Sequence, residues 1–166
     1  MKTSKSVLND IVTMLRYGMV KSHINGDIYR AGLRPRDSRL EDAVVSFVAG
    51  TPGQIQEGVV AVHVFVPDID PYSDGVMVED MSRTAALERV LTLWAENLHD
   101  YGSNYLFRMR DTVKTVEYPE IAQHAVVLFL RYRYYGGDED YVIGTETTDA
   151  AIVVEYEYPK IKFIED

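Results

Sequence analysis

Residues 25–68 read NGDIYRAGLRPRDSRLEDAVVSFVAGTPGQIQEGVVAVHVFVPD, and this stretch decides the fold. Its second half holds two apolar runs, Glu41 to Ala49 and Gln56 to Val66, either side of Gly50-Thr51-Pro52-Gly53. Valine and phenylalanine suit a pleated, half-buried surface, while glycine and proline mark a turn. The two runs therefore read as a β-hairpin. The centre of the second run, VVAVHVFV, is apolar on both faces, which predicts a strand covered on both sides.

Upstream, Leu8, Ile11, Val12, Leu15 and Met19 repeat at helical spacing and predict one amphipathic helix over residues 4–21. Ser4 or Ser6 is its expected cap. Asn25-Gly26 breaks it, and Asp27 to Ala31 is expected as a short strand. Downstream, residues 67–78 form a loop with two prolines. Leu87, Val90, Leu91, Trp94 and Leu98 then mark a second helix over about 80–101, capped by Asp80 or Ser82 and ended by Gly102. Leu91 and Trp94 are expected in the core.

Tyr105 to Tyr118 is a mixed strand pattern, and Ile121 to Tyr135 a long strand. Ala122, His124, Val126, Leu128, Leu130, Tyr132 and Tyr134 share one face of it; Arg131 and Arg133 lie on the other. Gly136-Gly137 leads into an acidic loop, Asp138-Glu139-Asp140. Tyr141 to Gly144 and Ala150 to Tyr158 are further strand candidates. Strands joined by short turns, with two main helices, predict an α+β fold: an antiparallel sheet with both helices packed on one face, in a single domain over residues 1–166.

Composition narrows the function. A net charge of −9 argues against general nucleic-acid binding, which needs a basic footprint. The chain has no cysteine, so disulfides and thiolate metal sites are excluded. The longest apolar run, Ala125 to Leu130, is far short of the roughly 18–20 residues of a membrane helix, so no membrane partner is expected. The N-terminus lacks the apolar core of a secretory signal, and a cytoplasmic or virion location is expected.

No motif carries chemistry. His23, His63, His99 and His124 stand at no metal-ligand spacing. Asp68, Asp70, Asp74 and Gly75 approach a calcium loop, but Tyr72 and Met81 fall where oxygen ligands are needed. The glycines at 50, 53 and 58 are followed by no Gly-Lys-Ser/Thr. The serines at 38, 46, 73 and 103 lack a nucleophile context. Glu41 and Glu57 are the one candidate carboxylate pair, if folding brings them together. No catalytic residue, metal or cofactor is expected.

One charged cluster stands out. Arg30, Arg34, Arg36 and Arg39 fall within ten residues of an acidic chain. They form either a solvated loop or a protein-docking patch, because the arginine fork matches carboxylates. Asp138, Glu139 and Asp140 on a neighbouring copy would complement them.

In layout the chain resembles a phage or prophage tail-completion protein, the tail-terminator type that joins a long tail to the head. The resemblance is carried by the N-terminal helix leading into NGDIYR, the hairpin SFVAG…QEGVVAVHVFVP, and a single mid-chain helix before long tyrosine-rich strands. It implies a small α+β protein that forms rings with other copies, contacts tail or connector proteins, and has no enzymatic activity. Two other classes stay open: an enzyme or small-ligand domain whose site is assembled in space, and a monomeric accessory factor that binds one protein partner.

Overall fold

The computed structural model describes residues 1–98 and 104–135 in full, and residues 141–143 and 157–159 as backbone. Helix α1 (Ser4–Arg16) begins at Thr3, whose hydroxyl accepts the Ser6 amide at 3.2 Å. The cap is thus Thr3 and not Ser4 or Ser6. The helix expected over 4–21 is interrupted at Gly18, and Met19 opens a separate short helix, α2 (Met19–His23). The interruption has a packing cause. A Cβ on Gly18 would lie 2.8 Å from the Met14 carbonyl oxygen and 2.9 Å from Trp94 Nε1. The indole of the third helix, α3 (Met81–Glu96), occupies the space a side chain would need. Asp80 caps α3 by accepting the Arg83 amide at 3.2 Å. The helix ends at Asn97, earlier than expected, and Gly102 lies outside the described residues.

Six strands form one sheet: β1 (Ile28–Arg30), β2 (Ala43–Thr51), β3 (Gln56–Pro67), β4 (Tyr105–Met109), β5 (Lys114–Tyr118) and β6 (Gln123–Tyr134). The order is β1-β2-β3-β6-β4, with β5 also paired to β6. Strands β3 and β6 pair antiparallel along their whole length, from Gln56↔Tyr134 to Pro67↔Gln123. The hairpin β2–β3 is as expected, with an irregularity between Phe47 and Ala49. Val48, at that bulge, is 46% exposed. The mixed pattern at 105–118 resolves into two strands that share one edge of β6: β4 beside residues 130–134 and β5 beside 123–127.

The sheet is mostly, not wholly, antiparallel. β1 runs parallel to β2, and residues 31–42 supply the crossover of about a dozen residues that a parallel pair requires. Beyond the sheet, β7 (Tyr141–Ile143) and β8 (Glu157–Pro159) pair with each other antiparallel.

Both main helices cover one face, as expected. α1 lies over β1 and β2, and α3 over β6 and β4. Val60, Val62, Val64 and Val66 of β3 meet Ile11, Leu15, Leu87 and Leu91 in one core with Leu128 and Leu130. Leu91 is fully buried and Trp94 is 4% exposed. Facing glycines matter at one place in the sheet. Gly58 sits opposite Gly50, and a Cβ on Gly58 would lie 2.5 Å from the Tyr132 ring. The glycines make room for that ring, which is buried on the core face.

The helix junction yields a direct test. Alanine at Gly18 suits the local φ of −108° but collides with the Met14 carbonyl oxygen and with Trp94, so Gly18→Ala should cost about 1–3 kcal/mol by overpacking. Trp94→Ala should cost about 3–5 kcal/mol. Urea denaturation of both variants checks this; a neutral Gly18→Ala would contradict the described junction.

Candidate interaction face of the sheet

Side chains alternate along a strand, so the residues between the core positions of β3 and β6 point to the opposite face. They are Val59, Ala61, His63 and Phe65, and, register-paired with them, Arg131, Phe129, Val127 and Ala125. An outward face of an antiparallel sheet is ordinarily polar. This one is apolar at its centre: Ala61, Ala125 and Val127 are buried, and Val59, His63, Phe65 and Phe129 around them are half-buried. The expectation that β3 is covered on both sides near its centre is met, by the helices on one face and by flanking side chains such as Arg34 over Phe65 on the other. His63, Phe65 and Tyr118 form a ring cluster, with centroids 6.2 Å (His63–Phe65) and 5.3 Å (Phe65–Tyr118) apart. Burial pushes the His63 pKa below its ordinary value, so the imidazole is neutral at neutral pH and adds no charge to the face.

Arginines border this apolar centre. At one side the Arg110 guanidinium lies 4.3 Å from the Phe129 ring centroid, and Arg34 lies at the same distance over Phe65. Toward the β2–β3 turn, Arg108 of β4 and Arg131 of β6 are direct cross-strand partners. Both are exposed, and among the described residues neither side chain has an ion pair or hydrogen bond. Like charges directly opposite each other destabilise a sheet. Arg133, next on that face, pairs with its cross-strand neighbour Glu57 at 2.9 Å. Two shallow hollows of ≈ 130 and ≈ 240 Å³ flank Arg131, the first lined by Leu106, Arg108 and Arg133, the second by Thr51, Glu57 and Val59.

The arginine cluster at 30–39 is divided by the fold. Arg34 is committed to the interior. Its Nε donates to Asp42 at 2.9 Å, and its Nη2 donates to the Leu40 carbonyl at 3.1 Å and to Gln123 Oε1 at 3.0 Å. Asp42 is 1% exposed and also accepts from the Ser38 hydroxyl at 2.5 Å and the Asp27 amide at 2.9 Å. Burial alone would raise the Asp42 pKa. The bonds from Ser38, Arg34 and Asp27 outweigh it and hold the carboxyl below its usual range. Arg34 is thus the clamp that ties the crossover loop to the ends of β3 and β6, not a free docking group.

Arg39 donates to the carbonyl of Ile121 at 2.9 Å while remaining exposed. Arg36 is exposed with no partner among the described residues, and Arg30 is half-buried at the end of β1. Asp138, Glu139 and Asp140, their suggested complement, lie outside the described residues.

Other candidates resolve in the same way. Glu41 and Glu57 do not form a carboxylate pair. Glu41 is held bidentately by Arg83 at 2.6 and 2.9 Å, and Glu57 belongs to Arg133 at the far end of β3. Asp68, dismissed as a calcium ligand, is hydrogen-bonded to His124 Nδ1 at 2.6 Å. Only the register of β3 against β6 reveals that pair, since the two residues are far apart in the chain. Asp70 binds loop amides, those of Asp74 at 3.1 Å and Gly75 at 2.9 Å. Among the described residues no three His, Asp or Glu side chains come together as a metal ion would need, and no helix is long and apolar enough to cross a membrane.

The fold and this face define a class: a two-layer α+β protein whose sheet carries an apolar, arginine-bordered surface on the side away from its helices. In comparisons with known proteins, no family model and no curated protein matches the chain.

Two outcomes are expected. Asp42→Ala leaves the partly buried Arg34 without its carboxylate and should cost up to about 3 kcal/mol at neutral pH. Because the folded Asp42 pKa is depressed, its stabilisation is present above the unfolded pKa and is lost as pH falls through the folded value. The deficit of the variant, measured by denaturation at stepped pH, should therefore shrink below about pH 4. A deficit independent of pH would contradict the ion pair. At the other end of the face, Arg108→Glu converts a repulsive cross-strand pair into an attractive one. In dilute solution it should stabilise the monomer by about 0.2–1 kcal/mol, read by calorimetry; destabilisation would mean the arginine pair is already compensated.

Proposed function

We propose that the protein is a non-enzymatic assembly component, a prophage tail-completion or neck protein that forms or joins a ring. The observation that supports this reading is the apolar outer face of β3 and β6, bordered by Arg108, Arg131 and Arg110. A half-buried apolar centre with a charged rim has the anatomy of a protein interface. Exposed ion pairs contribute only about 0–1 kcal/mol each. On this reading the apolar centre supplies the affinity and the arginines set orientation. The partners are further copies of the chain and the tail or connector proteins at the junction. The protein would work first in the cytoplasm of a bacterial host and then in the virion.

Sedimentation equilibrium over a wide concentration range, alone and with isolated tail tubes, tests the reading. The expected result is a mass that is a multiple of 18.9 kDa, with ring-shaped particles in negative stain or at tube ends. A monomer at every concentration that also ignores tail tubes would contradict it.

A further inference from the structure

Two surfaces at opposite ends of the molecule match each other in chemistry. The first is the arginine-lined end of the open sheet face. There Arg108 and Arg131 stand opposite one another without an acidic partner among the described residues, beside exposed Leu106. The second is the loop that follows β3. Ile69, Tyr72, Val76, Met77, Val78 and Met81 are all exposed in it, Tyr72 to 84%. So many large apolar side chains in one short exposed segment are an interaction surface rather than scatter. The loop also carries the carboxylates of Asp70 and Asp74.

Hydrogen bonds shape this loop in advance. Ile69 and Val78 exchange backbone hydrogen bonds at 2.8 Å each, and Asp74 accepts the Val76 amide at 3.0 Å. With Asp70 holding the amides of Asp74 and Gly75, the tip keeps Ser73 at φ +56° and Gly75 at φ +84°. A loop ordered before contact gives up less entropy on docking.

The two surfaces cannot meet within one molecule. Arg131 pairs beside Val59, near the start of β3, whereas the loop leaves β3 after Pro67. At about 3.3 Å per residue, the strand holds them roughly 25 Å apart.

We propose that the loop at residues 69–81 of one copy docks on the arginine-lined end of the open sheet face of the next. Tyr72 enters beside Arg131, and Asp70 and Asp74 face Arg108. The phenol ring offers its face to a guanidinium, as Phe129 does to Arg110 within the chain. The contact is head-to-tail, so each copy offers one loop and one face, and a chain of such contacts closes into a ring if the rotation allows. This inference rests on the ring-forming reading above and names the two surfaces that would make the ring.

Head-to-tail pairing has a signature that a symmetric contact lacks. A face variant, Arg108→Glu with Arg131→Glu, keeps a working loop. A loop variant, Tyr72→Ser with Met77→Ser, keeps a working face. All four positions are exposed, and circular dichroism checks that both proteins are folded. Each full-length variant alone should sediment as a monomer where the parent assembles. Mixed in equal amounts they should form a dimer and nothing larger, because one good loop then meets one good face. If both variants assemble like the parent, this contact is overturned while the ring reading stands. If the mixture stays monomeric, the loop-to-face pairing is overturned. A parent that never associates overturns the ring reading itself.

Discussion

The pairing of β3 with β6 is the interaction on which the rest of the structure depends. Two long strands join along their full length, from Gln56↔Tyr134 to Pro67↔Gln123. Their register sends Val60, Val62, Val64, Val126, Leu128 and Leu130 to the helix side. The same register puts Ala61, His63, Phe65, Val127 and Phe129 on the other. A slip of one residue would exchange the two sets. The helices, the edge strands and the crossover loop all attach to this central pair.

Polar clamps fix what the strands leave open. Arg34 and Asp42 pin the crossover loop over the ends of β3 and β6. Arg83 and Glu41 tie the start of α3 to the segment before β2, and Arg83 also donates to the His23 carbonyl. The first residues of the chain are fastened at the opposite end. Gln56 exchanges hydrogen bonds with the Lys2 backbone at 2.6 and 2.9 Å, and the Lys2 ammonium lies 5.0 Å from the Tyr134 ring centroid. Several of the charges in this acidic chain therefore shape the monomer. Arg108 and Arg131 are among the arginines with no partner among the described residues, and they stand opposite each other on the face that the helices do not cover.

Periodicity made the two helices, the hairpin and the long sixth strand legible in the sequence, because burial on one face imposes a repeat. It did not reveal what depends on contacts between distant residues. The break at Gly18 comes from the Trp94 indole, which a helical repeat of Leu and Met cannot show. The parallel β1 carries no mark of direction in three residues. At the candidate site, proximity along the chain misled: four arginines at 30–39 looked like one patch, yet Arg34 turns inward to Asp42. Arg108 and Arg131, distant in sequence, become neighbours only through strand register. The signal that could have found them was already visible in part. Arg131 and Arg133 fall on the face of β6 opposite the tyrosines, which the alternation of that strand already shows.

Assembly through the outer face of β3 and β6 must cover the side chains there that the monomer leaves half-buried or exposed. Hydroxyl-radical footprinting of the parent protein, dilute and assembled, measures this residue by residue. Phe129 and Leu106 on that face should become protected on assembly, while Tyr17, 84% exposed at the end of α1, should react equally in both states. Equal reactivity of Phe129 and Leu106 in the two states, or protection centred on Tyr17, would contradict burial of that face.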